Sequence, residues 1–501
     1  MPTRSLPARP SLAQLKLQAK ELQRAHREGK PSAAARIAAH HPRLKGRSPQ
    51  AVLGRPLALA DAQLVLAREY GFESWAALKH RVEVGSRVAQ FRPHPRFGEA
   101  AAALDAGDLG RLRALLAADP ALVHARTDLE PPYGYFTGAT LLHHVAWNPG
   151  RPAPVPANVV EIARLLLDHG AEVDAETLGP SGGTTMGLVI TSKMASDAGV
   201  SGPLIELLLE RGATLDLGAS ERVIPDWGRR SVLDLPLANH APRAAEKLIE
   251  LGAEPDVCAA AALGRMDLLR GFFGEDGRLR SRPRRGGRPM AERDAVGLAL
   301  LFAYVNRHPE AVDFLLEKDG NWDMTGVNNG TALHRAAWDG DLAMVRRLVA
   351  RGADIGNRDN PFVSTPLSWA QHNKQAEVFA WMRSHCAIDL HDAAGFGLRE
   401  HVEARLREDP ASVNKRIDQW DVPQSTPLYW AAWTKYHDVD GEHPWDEAER
   451  EALVRLLLDR GADPNLVAGD GHTALDVAEA AGAAGVARLL AERGGRRAAE
   501  L

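Results

Sequence analysis

Apolar residues recur at helical spacing along most of the chain, and many of the helices they predict end alike. A leucine-rich run closes on Gly-Ala in "LLLDHGAEVD" at Leu165–Asp174, "LLLERGATLD" at Leu207–Asp216 and "LIELGAEPD" at Leu248–Asp256. The pattern returns as "LVARGADI" at Leu348–Ile355 and "LLLDRGADPN" at Leu456–Asn465. Each run predicts an amphipathic helix stopped by a glycine, the residue that most readily takes the left-handed conformation at a helix C-terminus.

A second phrase alternates with the first. It reads "TLLHHVAW" at Thr140, "TALHRAAW" at Thr331, "TPLSWAQH" at Thr365, "TPLYWAAW" at Thr426 and "TALDVAEA" at Thr473. Threonine is a good N-cap, so each phrase predicts a short helix whose leucine and small residues pack closely on a neighbour. Successive units of two helices and a turn lie roughly 33 to 45 residues apart.

That period and those phrases resemble the ankyrin repeat. The resemblance runs from about Phe97 to the C-terminus and implies an all-α solenoid of roughly eleven helix-turn-helix units, several degenerate. "GEAAAALDAGDLGRLRALLAADPALVHAR" from Gly98 looks like the first unit. The stretches from Asp256, Val296 and Leu390 keep two helices but lose one of the phrases. The closing "GVARLLAERGGRRAAEL" looks like a capping repeat. Residues 1–90 differ. Leu12, Leu15, Ala19 and Leu22 share a helical face, "PSAAARIAAHHP" predicts a second helix, and "ALADAQLVLAREYG" a third that stops at Gly71. Ser74 is placed to cap a fourth. Together they resemble a small helical domain that precedes ankyrin repeats in a group of bacterial proteins. The predicted domains are therefore 1–90 and 97–501.

Within the short helices, residues three or four apart share a face. In "TPLYWAAW", Leu428, Ala431 and Ala432 form the packed face, and Trp430 and Trp433 fall together on another. The same two slots hold His144 and Trp147, Arg335 and Trp338, and Trp369 and His372. The resemblance implies that first helices line a concave surface, with the second slot contacting partners. Packing between units is the expectation for Trp369 and Trp430. The groove is the expectation for Trp147, Trp338 and Trp433, because tryptophan is enriched at binding hot spots. Turns before the first helices add Tyr133, Tyr135, Phe136, Trp227, Phe362 and Trp420. Insertions follow Trp147, Thr191 and Trp433, and in solenoids such insertions gather on one face. Tyr135, Phe362 and Trp420 are expected to set specificity.

Composition adds mainly exclusions. Charged residues make up 25% of the 501 and the formal net charge is −4, which argues against a general affinity for nucleic acid. Two cysteines, Cys258 and Cys386, offer neither a disulfide framework nor zinc spacing. With no signal core and no long apolar run, a cytoplasmic protein is expected. The histidines of the Thr-x-Leu-His phrase, His143 and His334, are expected to bond the capping threonine and nearby backbone. His144 and His372, with Asp421, Tyr436 and His437, could act as acid–base groups on a bound small molecule. No phosphate loop, nucleophile elbow or HExxH pattern supports an enzyme, and no cofactor or metal is expected. The insertion "HDVDGEHPWDEAERE" is acidic but matches no EF-hand. "RLRSRPRRGGRP" at Arg278–Pro289 is expected to be a disordered loop, with phosphate contact through Arg278–Arg288 as the lesser alternative.

The predicted function is a scaffold holding a peptide or protein in an aromatic-lined groove. The alternative is an enzyme or small-molecule binder using that groove as a pocket.

Overall fold

A computed structural model of the chain describes residues 11–72, 74–75, 78–79, 82, 94–127, 136–178, 183–215, 232–285, 288–326, 330–359, 363–419, 422–433 and 447–501. The chain divides into two units, residues 1–254 with 284–288, and residues 255–283 with 289–501. The predicted boundary near residue 90 and most of the helix after Ser74 lie outside the described residues.

In the first unit, four helices open the chain at Leu12–Arg27, Pro31–His40, Pro49–Leu53 and Leu59–Glu69. Leu15 and Ala19 pack with Leu66 and Ala67, while Leu22 packs with Ile37, Val52 and Val65. The short third helix has no apolar period of its own to announce it. Arg36 Nε and Nη2 donate to the two carboxylate oxygens of the buried Glu69 at 2.6 and 2.8 Å. A buried carboxylate needs such a partner, because desolvation is costly for an unpaired charge.

From Phe97 onward the described helices come in pairs, with one extra short helix, Lys193–Asp197, inside the third. The first unit holds Phe97–Asp105 with Leu109–Ala118, Leu141–His144 with Val159–Asp168, Thr185–Ile190 with Ser201–Glu210, and Asp234–Ala238 with Pro242–Glu250. The second holds Val257–Ala262 with Met266–Gly271, Glu292–Val305 with Pro309–Leu316, and Ala332–Asp339 with Leu342–Ala350. It continues with Pro366–His372 and Ala376–His385, Leu390–Gly395 and Arg399–Glu408, Pro427–Ala432 and Glu447–Asp459, and Ala474–Ala480 with Ala484–Glu492. Gly352 and Gly461, from the Gly-Ala phrases, sit at φ +84° and +90°, where a side chain would be strained. The turn "IDQWDVPQ" contains a short antiparallel pair, Ile417–Gln419 with Val422–Ser425, which helical periodicity does not reveal. The arginine-rich segment is tied down where it is described. The Arg280 amide donates to the Phe272 carbonyl at 2.8 Å, and that of Met290 to Pro283 at 2.9 Å.

The threonine phrase stitches each repeat to the next through its fourth residue. The Thr331 amide donates to His334 Nδ1 at 3.2 Å, which leaves Nε2–H to donate to the Ser364 carbonyl at 3.0 Å. His143 repeats this with the Thr140 amide at 3.1 Å and the Gly183 carbonyl at 3.2 Å. Where histidine is missing, other groups serve. Tyr429 Oη donates to Asp470 at 2.6 Å, and Asp476 accepts from the Ala498 amide at 2.9 Å. Beside Ser368, the Thr365 hydroxyl donates to Asp392, which also accepts from Gln419 Nε2 at 2.8 Å. His391, after an aspartate cap, donates to the Lys415 carbonyl at 2.8 Å.

Burial holds these histidines neutral, with His143, His334 and His391 each pushed down to about 4. Between pH 6.5 and 4 the unfolded imidazole carries a proton that the folded one refuses. Each therefore removes about 1.4 kcal/mol of stability per pH unit as pH falls. Asp392, pushed up to about 6 by burial, binds a proton when folded and opposes one of the two histidines in the second unit. Replacing His334 by Gln should cost about 1–3 kcal/mol at pH 7 for a lost buried hydrogen bond. That gap should narrow by about 2 kcal/mol at pH 5. Denaturant midpoints of both chains at the two pH values measure it, and a constant gap would refute the titration argument.

One close approach depends on a missing side chain. A Cβ on Gly297, inside Glu292–Val305, would lie 1.8 Å from the Asn321 carbonyl oxygen. That strand of backbone is held there by the Asn321 amide on the Arg293 carbonyl and by Asn321 Nδ2 on Asp294, both 2.8 Å. Gly297→Ala must push backbone apart and should destabilise by about 3 kcal/mol or more, against the gain in helix propensity. Thermal unfolding reports the sign, and a stabilised variant would contradict this packing.

Candidate partner-binding surface

The two slots of the short helices separate by what their indole N–H groups find. Ser-Thr-Pro-Leu-x-Trp occurs twice, at Ser364–Trp369 and Ser425–Trp430. In both, the indole donates to the serine hydroxyl five residues back, at 3.1 Å from Trp369 and 2.9 Å from Trp430. The serines pass the bond on, Ser364 to an Asp359 carboxylate oxygen at 2.6 Å and Ser425 to the Ile417 carbonyl at 3.2 Å. A first-slot indole thus latches the turn to its helix. Trp430 is only 2% exposed, in keeping with the packing expected of it.

Second-slot tryptophans lie on these latched rings. Trp338, half-buried, meets Trp369 edge-on at 5.6 Å and stacks with the exposed His372 at 5.7 Å. Its carbonyl accepts from Asn373 Nδ2 at 2.7 Å and Gln375 Nε2 at 2.9 Å, which fixes the end of its helix to the next pair. Trp433, also half-buried, stacks on Trp430 at 5.0 Å and meets Tyr429 edge-on at 5.8 Å. Arg335, one turn before Trp338, lies over the Trp369 ring at 5.6 Å. Tyr304, from Glu292–Val305, leans its hydroxyl toward Asp339 and Asp341 at 3.5 and 3.4 Å.

Trp147 departs from its expected role. The helix that starts at Leu141 ends at His144, and Trp147 sits beyond it at φ +51°. The three-residue face rule therefore does not reach it. It is 1% exposed, its indole donates to the Ala153 carbonyl at 2.9 Å, and the Arg151 guanidinium lies 3.7 Å above its ring. The insertion after Trp147 folds back over the indole and closes it from solvent.

His144 is corrected with it. It is buried between Phe97 and Phe136, with ring centroids at 5.4 and 4.9 Å. Arg151, paired with Asp105, donates to His144 Nδ1 at 3.1 Å. Burial and that guanidinium push its pKa down to about 3, so the imidazole stays neutral near pH 7. Tyr133, Tyr135, Trp227, Phe362, Trp420, Asp421, Tyr436 and His437 lie outside the described residues, as does most of the acidic insertion after Trp433.

A cavity of about 780 Å³ opens elsewhere in the second unit, lined by Asp276, Arg278, Glu292, Arg293, Asp319 and their neighbours. None of the aromatic candidates borders it, and its two arginines are drawn into the ion pairs Arg278–Glu292 and Arg293–Asp319. The aromatic surface offers flat apolar faces, one guanidinium and one exposed imidazole. Sequence reasoning passed over Ser364 and Ser425, though the repeated Ser-Thr-Pro-Leu-x-Trp string carried the signal. Tyr304 had none, because its helix lacks the threonine phrase.

Comparison with known proteins agrees with the repeat phrases. A family model described as ankyrin repeats, in three copies, matches residues 286–359. Inversin from Canis lupus familiaris is 26% identical over 196 residues, covering 36% of this chain and 17% of its own length. The chain thus spans less than a fifth of that relative. A crystal structure of the ankyrin repeat protein EF0377 aligns with 38% of this chain and 96% of its own, at 23% identity and a TM-score of 0.26. A chain from the predatory endopeptidase Bd0816 of Bdellovibrio bacteriovorus in complex with immunity protein Bd3460 aligns over the same shares, at 21% identity and a TM-score of 0.26. Residues 286–359 are therefore ankyrin repeats, and the threonine and Gly-Ala phrases with their paired helices resemble that repeat on either side.

Proposed function

We propose that the chain is a binding scaffold of about eleven ankyrin units that follows a separate helical domain at residues 1–90. It holds a peptide or protein partner on the first-helix face around Trp338 and Trp433. Ankyrin repeats generally mediate protein–protein interaction, and no helix among the described residues is long and apolar enough to cross a membrane. The observation that carries the proposal is the Trp338–Trp369–His372 cluster. Three rings from adjacent short helices are held in fixed register, with Trp338 and Trp369 half-buried and His372 exposed. Rings that are pre-positioned lose little freedom when a partner covers them. Trp433, stacked on Trp430, extends the surface, and Tyr135, Phe362 and Trp420 remain its proposed specificity residues. Trp147, enclosed by Arg151 and Ala153, has no place in it.

The test is site-specific photo-crosslinking in the full chain, with a benzophenone side chain at His372 and, for contrast, at the exposed Ala350 of a second helix. A protein adduct from position 372 that is absent from position 350 is the expected result. Trp338→Ala in the same chain should weaken capture by about tenfold or more, the usual loss at an aromatic hot spot. Adducts only from position 350, or capture indifferent to Trp338, would overturn the proposal. Loss of the adduct after removal of a dialysable factor would favour a small-molecule binder instead.

A further inference from the structure

Arg335 is withdrawn from water without the partner that such an arginine normally has. Its guanidinium is partly buried against the Trp369 ring, and burial lowers its pKa. Arg36, Arg151 and Arg358 are also partly withdrawn, and each lies on a carboxylate, Glu69, Asp105 and Asp389. No carboxylate lies within 4.0 Å of Arg335 among the described residues, and none of its side-chain N–H groups finds an acceptor there. The nearest acid on its own helix, Asp339, leans to the Tyr304 hydroxyl instead. Arginine cannot shed its charge by losing a proton near neutral pH, so the cost of its desolvation, which the Asp339 charge offsets only in part, stays until an anion arrives.

The group is also held ready. The ring beneath it is fixed by the Ser364 hydroxyl, and Trp338 flanks that ring on the same helix face as Arg335. A planar fork of donors beside two indoles matches a carboxylate followed by an apolar side chain, with two parallel hydrogen bonds to the carboxylate.

We propose that Arg335 is the anchor for an Asp or Glu side chain of the bound partner, in a peptide segment whose adjacent apolar residue packs on Trp338 and Trp369. This rests on the scaffold function proposed above, and sharpens it to a partner with an acidic–apolar motif.

Random twelve-residue peptides displayed on phage, selected on the immobilised full chain, test it. Selected peptides should share an acidic residue next to an aromatic or branched apolar one. Their affinity should fall at least tenfold on Arg335→Met, which keeps the apolar stem on Trp369. It should recover in part when Arg335→Glu is paired with an Asp/Glu→Lys change in the peptide. Thermal midpoints of the variants close to that of the parent chain guard against unfolding as the cause. Peptides that need Trp338 but show no acidic preference and ignore Arg335→Met overturn the anchor and leave the scaffold surface standing. Peptides indifferent to Trp338→Ala, or no enrichment at all, overturn both.

Discussion

The backbone at the seam between repeats dictates much of what surrounds it. Each turn enters the next unit with carbonyl and amide groups that water cannot reach, and a buried polar group without a partner is costly. The fourth residue of the threonine phrase meets that demand from the unit before. His334 reaches the Ser364 carbonyl, His143 that of Gly183, and Asp476 the Ala498 amide. Because the same side chain also faces its own cap, one group fixes a helix start and the spacing to its neighbour. The leucines and alanines can then pack at a set distance. The chemistry is exchangeable as long as the bond is made, which is why histidine, tyrosine and aspartate can all occupy the position.

The tryptophans divide along the same line. Trp369 and Trp430 each give an indole N–H to a serine in the preceding turn, so their rings serve the seam. Trp338 and Trp433 lie against those rings, partly open to solvent. The exposed aromatic surface is thus the outer layer of a structural one, and its rigidity comes from the latch beneath. Arg335 belongs to that outer layer: it shares Trp369's ring as a floor but not its hydrogen bonds.

Trp147 shows how far local context can bend the shared pattern. "TLLHHVAW" and "TALHRAAW" differ little as strings, yet the first yields four helical residues and the second eight. An arginine in the following insertion pairs with Asp105 and covers Trp147, and burial together with that arginine holds His144 neutral. The second-slot rule presumes that the helix continues, and here it stops.

The sequence alone determined the repeat. Periodic leucines, glycines able to adopt positive φ and threonines able to cap are local properties, and local properties survive in a string of letters. It also marked the histidines of the threonine phrase as structural, since a cap is a contact between near neighbours. Only the tertiary structure decided which indoles are covered, because that depends on segments distant in sequence or on where a helix ends. Ser364 and Ser425 became donors and acceptors only once the turn lay against its helix. Arg335 became distinctive only once the fold set it on the Trp369 ring with no carboxylate against it. Burial and pairing are properties of the assembled neighbourhood, and no spacing rule along the chain encodes them.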